Sequence, residues 1–141
     1  MEDKIIIRVG AKILIPFILV FALYVQFHGD YGPGGGFQAG VIFAAGFILY
    51  SLVFGVNMAK EVLPLSVAWL CGSAGVLIFA GVGVVTMLLG GNFLDYSVLA
   101  HDPEHGQHWG ILLVELGVLT TVFGVMVSIF YSFAGRRGLR T

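Results

Sequence analysis

Four apolar segments, each long enough to cross a lipid bilayer as a helix, make up most of this chain. They cover residues 5–27, 37–56, 65–89 and 109–133. An α-helix needs about 20 apolar residues to cross the ~30 Å hydrocarbon layer. Only 11% of the residues are charged, whereas about a quarter are charged in soluble domains. The sequence therefore predicts an all-α integral membrane protein with four transmembrane helices, a membrane domain over 1–133 and a basic tail over 134–141.

The positions of Lys and Arg predict how the chain is oriented. The seven basic residues are Lys4, Arg8, Lys12, Lys60, Arg136, Arg137 and Arg140. All would lie on one side of the membrane, and the two gaps on the other side contain none. Lys and Arg in short loops resist translocation. We therefore predict cytoplasmic N and C termini in a multi-pass protein of the cell (inner) membrane.

Several functions are disfavoured by composition. A formal net charge of −1, without a basic patch, argues against nucleic acid as a partner. We find no ligand set for haem, iron–sulfur clusters or flavin, so we expect no cofactor and no enzymatic activity. A carrier that works alone by alternating access would usually show paired repeats, and none is visible here. A subunit of a larger membrane assembly is the better interpretation.

A glycine-rich block fills the gap between the first two segments. Pro33 excludes a continuous helix, and Gly34, Gly35 and Gly36 can adopt positive φ. We predict a tight turn wedged against a neighbouring subunit in preference to a ligand site at the start of the second helix. Gly36 and Gly40 form a G-x-x-x-G pattern that favours close helix packing.

Glu115 is the one acidic residue within a predicted span, about six residues from its start. A charged side chain in hydrocarbon costs a few kcal/mol, so this carboxyl should face protein or water. It could bind a proton or Na⁺ in an ion path, or it could have a structural or solvated role near the interface. The chain offers no deeply embedded Lys or Arg, so we expect a partner subunit to supply the pairing charge.

The last gap and the ends of the last segment carry polar and aromatic residues. The gap contains His101, His105, His108, Asp95, Asp102 and Glu104. A helical spacing of four between histidines suits metal ligands, but the neighbouring Pro103 and Gly106 interrupt it, so we predict a solvated loop without metal. Trp109 and Tyr131, near the ends of the segment, are typical of an interfacial aromatic belt.

Two motifs resemble one known family. The first is His28-Gly29-Asp30-Tyr31-Gly32-Pro33-Gly34-Gly35-Gly36-Phe37-Gln38-Ala39-Gly40. It is similar to the Gly-His-x-x-Pro-Gly-Gly-Gly-Phe-like segment of MnhB (MrpB) proteins, with the order of Gly and His exchanged. The second, Glu115-Leu116-Gly117-Val118, matches the acid-Leu-Gly-Val sequence of their last helix.

The resemblance implies the MnhB-type subunit of an Mrp-type multisubunit antiporter that exchanges Na⁺, or another monovalent cation, for protons. Its partners would then include large subunits related to those of respiratory complex I, besides the lipid bilayer. Related respiratory or membrane-bound hydrogenase complexes remain an alternative host, with this chain as a structural or ion-path subunit. We also predict that the glycine block is an assembly element, and the resemblance favours an ion-path role for Glu115 over a structural one.

Overall fold

The computed structural model describes residues 2–29, 34–100 and 102–135. Its helices are α1 (Glu2–Phe27), α2 (Gly36–Phe54), α3 (Val56–Val62), α4 (Leu65–Leu88) and α5 (Pro103–Gly135), with a 3-10 helix at Tyr96–Leu99. Within the described residues, α1, α2, α4 and α5 are long and apolar enough to cross a membrane. The predicted all-α membrane fold with four such helices is confirmed.

The second helix ends earlier than the predicted span 37–56. Gly55 adopts φ 101°, a conformation that side chains with a Cβ rarely take, and α2 stops there. Residue 56 then begins the separate short helix α3, which the apolar pattern did not reveal. The Gly55 amide still donates to the Ser51 carbonyl at 3.0 Å, so the break leaves the last turn of α2 hydrogen-bonded.

The last helix is longer at both ends than the predicted span 109–133. It begins at Pro103, whose fixed φ and missing amide proton suit the first turn of a helix. Glu104 follows in that turn, where a carboxylate complements the helix dipole. The helix continues to Gly135, into the predicted tail, and residues 136–141 lie outside the described residues.

Helices α2 and α5 form the centre of the fold. Helix α5 packs against α2 on one side and α4 on the other, and α1 packs mainly against α2. Helix α1 is peripheral, because only 11% of its most apolar stretch is buried inside the chain, against 28% for α2 and α4. Lipid or partner subunits must therefore cover most of α1.

Small residues make up much of the buried core. The core cluster is Ala44, Ala59, Ala68, Val127 and Tyr131. Small side chains let membrane helices approach closely, so that contact between backbones replaces interlocked large side chains. Between α4 and α5, for example, the hydroxyl of Thr121 donates to the carbonyl of Gly72 at 3.4 Å.

Tyr131 departs from its predicted place in an interfacial aromatic belt. It is only 2% exposed, and its hydroxyl donates to the Leu63 carbonyl at 2.9 Å. The ammonium group of Lys60 lies 5.6 Å from the centre of its ring. The side chain therefore joins α5 to the α3–α4 connection at the end of the molecule where Arg8, Lys12 and Lys60 lie, which we call the basic end.

At the end of the molecule opposite the basic end, hydrogen bonds hold the connection between α4 and α5 in place. The buried hydroxyl of Thr86 donates to the Gly83 carbonyl at 2.8 Å and accepts the Leu94 amide at 3.0 Å. Asp95 begins the 3-10 helix by accepting hydrogen bonds from Ser97. The hydroxyl of Ser97, followed by backbone amides, lowers the pKa of the Asp95 carboxyl below its usual value.

Candidate functional site

The fold brings Glu115 and the glycine block into direct contact. Gly36, the first residue of α2, lies so close to the backbone carbonyl of Glu115 that a Cβ would overlap it. A Cβ on Gly29 would lie 2.6 Å from Glu115 Oε1, and one on Gly35 would lie 3.0 Å from the same atom. We call Gly29, Gly35 and Gly36 the glycine cradle, because a Cβ on Gly29 or Gly35 would crowd the carboxyl group of Glu115 and one on Gly36 would overlap its backbone.

Gly35 also needs glycine for its backbone conformation. Its φ is +132°, in the region that residues with a Cβ rarely occupy. Its carbonyl accepts the Ala39 amide at 3.0 Å, and this bond helps to begin α2. One residue thus starts the helix and leaves room for the Glu115 carboxyl.

Gln26, in the last turn of α1, completes the site. Its side chain is 1% exposed, and its Nε2 donates to Glu115 Oε2 over a long distance of 3.5 Å. Among the described residues, Gln26 Oε1 is a buried side-chain atom without a hydrogen-bond partner. A buried acceptor without a partner is costly, so this oxygen marks a place where a ligand would be stabilised.

A glutamine beside a carboxyl group can serve two protonation states. Its amide can donate through Nε2 to a carboxylate, or, when rotated, accept through Oε1 from a protonated carboxyl. Oε1 and a carboxylate oxygen could also bind a small cation together, because hard cations prefer oxygen ligands. The Gln26–Glu115 pair therefore has the chemistry to hold a proton or a monovalent cation.

Glu115 lies level with the last turn of α1 and the first turn of α2. Glu115 lies 12 residues after Pro103, the first residue of α5. The helix therefore extends about 18 Å from Glu115 toward its N-terminus. Beside this extension lies a groove of about 680 Å³, which we call the outer groove. The lining residues are Gly29, Glu104, His105, Gln107, His108 and Ile111.

The outer groove leads toward Glu115. One face of α5 carries four residues at spacings of four, three and four positions, namely Glu104, His108, Ile111 and Glu115. Gly29 belongs both to the groove and to the glycine cradle. The groove and the carboxyl site are therefore neighbours that share Gly29 and one face of α5.

The other predicted loop residues have different environments. The ring of His28 stacks on Tyr24 with centroids 5.1 Å apart. Phe37 is 62% exposed. A Cβ on Gly34 would approach the Val25 carbonyl to 2.9 Å, and one on Gly40 would approach the Leu119 carbonyl to 2.9 Å. Gly40 therefore packs against α5 of the same chain, as Gly36 does.

Four residues of the predicted motif, Asp30, Tyr31, Gly32 and Pro33, lie outside the described residues, as does His101. In the part of the chain that the structure describes, no group of three His, Cys, Asp or Glu residues could hold a metal ion. His105 Nδ1 lies 3.3 Å from Asp102 Oδ2, and both side chains are exposed.

Gln26 and Gly29 are the site residues that sequence reasoning missed. A glutamine near the end of an otherwise apolar segment was a usable signal, because a buried amide needs a polar partner. Gly29 lies within the motif quoted above, but nothing in the sequence indicated that it contacts Glu115. Its role follows from the position of α5, which brings a residue 86 positions later in the chain to its Cα.

Comparisons with known proteins show the family of this chain. The profile of a domain described as related to the MnhB subunit of Na⁺/H⁺ antiporters matches residues 6–128. A protein of Staphylococcus haemolyticus (strain JCSC1435), provisionally named antiporter subunit mnhB2, is 38% identical over 95% of this chain and 96% of its own length.

A protein with the same name from Staphylococcus aureus (strain Newman) is 37% identical over 96% of this chain and 98% of its own length. The match to these relatives covers nearly the full length of this chain. This chain therefore belongs to the MnhB family of Na⁺/H⁺ antiporter subunits.

Proposed function

We propose that Glu115 is the ion-handling group of this chain, where it binds and releases a proton or a monovalent cation. The chain is a membrane subunit of a multisubunit Na⁺/H⁺ antiporter, and other subunits accompany it. We assign it no enzymatic reaction. Its role is to pass or hold an ion within the assembly.

The observation that carries this proposal is the pairing of Glu115 with Gln26. A buried glutamine that served only to join helices would be expected to have both polar atoms paired, because buried groups without partners are costly. Here the contact through Nε2 is long, 3.5 Å, and Gln26 Oε1 lacks a hydrogen-bond partner among the described residues. An available oxygen ligand beside a carboxyl, near a groove that Glu104, His105 and His108 line, suits an ion that must both enter and leave.

A second candidate role is purely structural. The contact between Gly36 and the Glu115 carbonyl joins α2 to α5 through backbone atoms, and it would do so whatever the side chain of residue 115. In that case the glycine block would serve packing and assembly alone. Variants of Glu115 that change only its ability to ionise distinguish the two roles.

The family and the charge pattern support a proposal for the partners and the location. We infer that large subunits related to those of respiratory complex I surround the chain in the cell (inner) membrane, and that Na⁺ is the exchanged cation. The exposed apolar faces of α1 and α4 fit contacts with those subunits or with lipid. Both termini would be cytoplasmic, which places the outer groove on the external side.

Replacing Gln26 with Met should raise the Na⁺ concentration that gives half-maximal exchange by about tenfold, the usual lower range for losing a supporting ligand. Met keeps the length of the side chain but removes both the amide donor and the acceptor. The measurement is Na⁺-dependent proton movement in inverted vesicles that contain the whole complex.

The same substitution at Gln107 is the matched control, since that exposed glutamine lines the outer groove away from the carboxyl. Gln107→Met should leave the Na⁺ dependence unchanged. Equal Na⁺ dependence in the Gln26→Met variant and the unaltered complex would show that Gln26 does not assist ion binding.

The orientation can be tested with a pair of exposed asparagines. In a Cys71→Ala background, Asn92→Cys should react with an impermeant thiol reagent on intact cells, because it would face outward. Asn57→Cys, in α3 at the basic end, should react only after the membrane is opened. Labelling of residue 57 but not of residue 92 on intact cells would show that the chain has the opposite orientation.

A further inference from the structure

A groove runs between α1 and α2 from the basic end toward the middle of the helices. It consists of two adjoining cavities of about 390 and 250 Å³, which share Ile15 and Tyr50. Lys12, Pro16 and Phe54 line the cavity at the mouth, and Leu19, Phe43, Phe47 and Val62 line the inner one. We call the two together the α1–α2 groove.

The sizes of the side chains explain why the helices separate here. At Gly46, α1 and α2 meet closely, since a Cβ there would lie 3.2 Å from side-chain atoms of Ile18 and Leu19. One and two turns nearer the basic end, α2 carries Tyr50 and Phe54, whose rings hold the backbones apart. The larger of the two cavities is therefore the one nearer the basic end.

Its mouth is cationic, although its inner part is apolar. Lys12 lines the opening and is exposed, and Arg8, also exposed, lies one helical turn away on the same face of α1. Lys12 is seven residues from Ile5, where the apolar span begins, or about 10 Å along the helix. Its ammonium group must reach toward the polar headgroups, because hydrocarbon does not solvate it.

We propose that the α1–α2 groove binds an anionic phospholipid, with the phosphate at Arg8 and Lys12 and one acyl chain between α1 and α2. Arg and Lys near the cytoplasmic surface attract anionic lipids, and basic pockets between membrane helices bind their headgroups. A free phosphate would not use the apolar cavity.

The test uses the intact antiporter complex in vesicles of phosphatidylcholine with phosphatidylglycerol that carries a photoreactive group in its acyl chain. After illumination, mass spectrometry locates the label, which we expect on Leu19, Phe43 or Phe47. Lys12→Met keeps the stem of the side chain and removes the charge. It should lower this labelling about fivefold, the effect of losing one basic contact near the surface.

Lys60→Met is the matched control, because Lys60 lies at the basic end but outside the groove. It should leave labelling of the groove unchanged. Native gels confirm that each variant assembles before labelling is compared. The proposal does not depend on Glu115 or on which end is cytoplasmic, since both leaflets of the vesicles contain the probe.

Three results would overturn the proposal. One is labelling that Lys12→Met does not reduce in an assembled complex. Another is equal labelling by a phosphatidylcholine probe with the same acyl chain, which would show nonspecific contact with lipid. The third is a crosslink from a photoreactive amino acid at Leu19 to a different protein of the complex, which would show that protein fills the groove.

Discussion

Replacing Gly36 with Ala should prevent this subunit from entering its complex. The added methyl group would overlap the backbone carbonyl of Glu115. A backbone atom within α5 cannot rotate away as a side chain can, so α2 and α5 would have to separate. Overpacking in well-packed cores costs about 1–3 kcal/mol, and a contact between backbones should lie at or above the upper end.

Gly81→Ala is the matched control. Gly81 is also helical, and no described atom outside its own helix backbone and its chain neighbours lies within 4 Å of the position that its Cβ would take. Alanine there should be neutral or stabilising by about 1 kcal/mol through helix propensity. Native gels and the thermal unfolding of the purified complex measure both variants. If the Gly36→Ala complex assembled with unchanged thermal stability, the close packing of α2 on α5 would be wrong.

The helices could be predicted because their signal is local. Each membrane span is a continuous apolar run, and its length alone indicates a crossing helix. The residues at which the helices begin and end were less predictable. Pro103 and Glu104 form the first turn of α5, but the polar residues up to His108 conceal a helix that continues beyond the apolar region.

The candidate site could be predicted only in its parts. Glu115 stood out as an acid in an apolar segment, and Gly35 and Gly36 stood out as neighbouring glycines. Nothing in the spacing indicated that they touch, because their contact depends on how α2 packs against α5. Gln26 was missed for the same reason, since its importance comes from the carboxyl group 89 residues later.

Glu115→Gln should reduce Na⁺/H⁺ exchange to background while the complex still assembles. Glutamine has almost the same shape as glutamate and can still hydrogen-bond Gln26, but it cannot ionise or neutralise a cation. The packing at Gly36 involves the backbone of residue 115, so it is preserved. The loss would therefore report on charge rather than on structure.

Glu115→Asp keeps the charge and alters the geometry, whereas Glu115→Gln keeps the geometry and removes the charge. Aspartate keeps a carboxylate but shortens the stem by one methylene, which withdraws the oxygens from Gly29 and Gln26. If the carboxylate handles the ion, Asp should retain part of the activity that Gln loses. If residue 115 has only a structural role, Gln should be the better tolerated substitution, because it preserves the geometry.

The most direct test of the account is exchange by the Glu115→Gln complex in inverted vesicles. The amount of assembled complex is matched to the unaltered one on native gels, and Na⁺-dependent proton movement is recorded across a range of pH. We predict assembly at normal levels with exchange at background at every pH. Full exchange by the properly assembled Glu115→Gln complex would contradict the proposed role of Glu115.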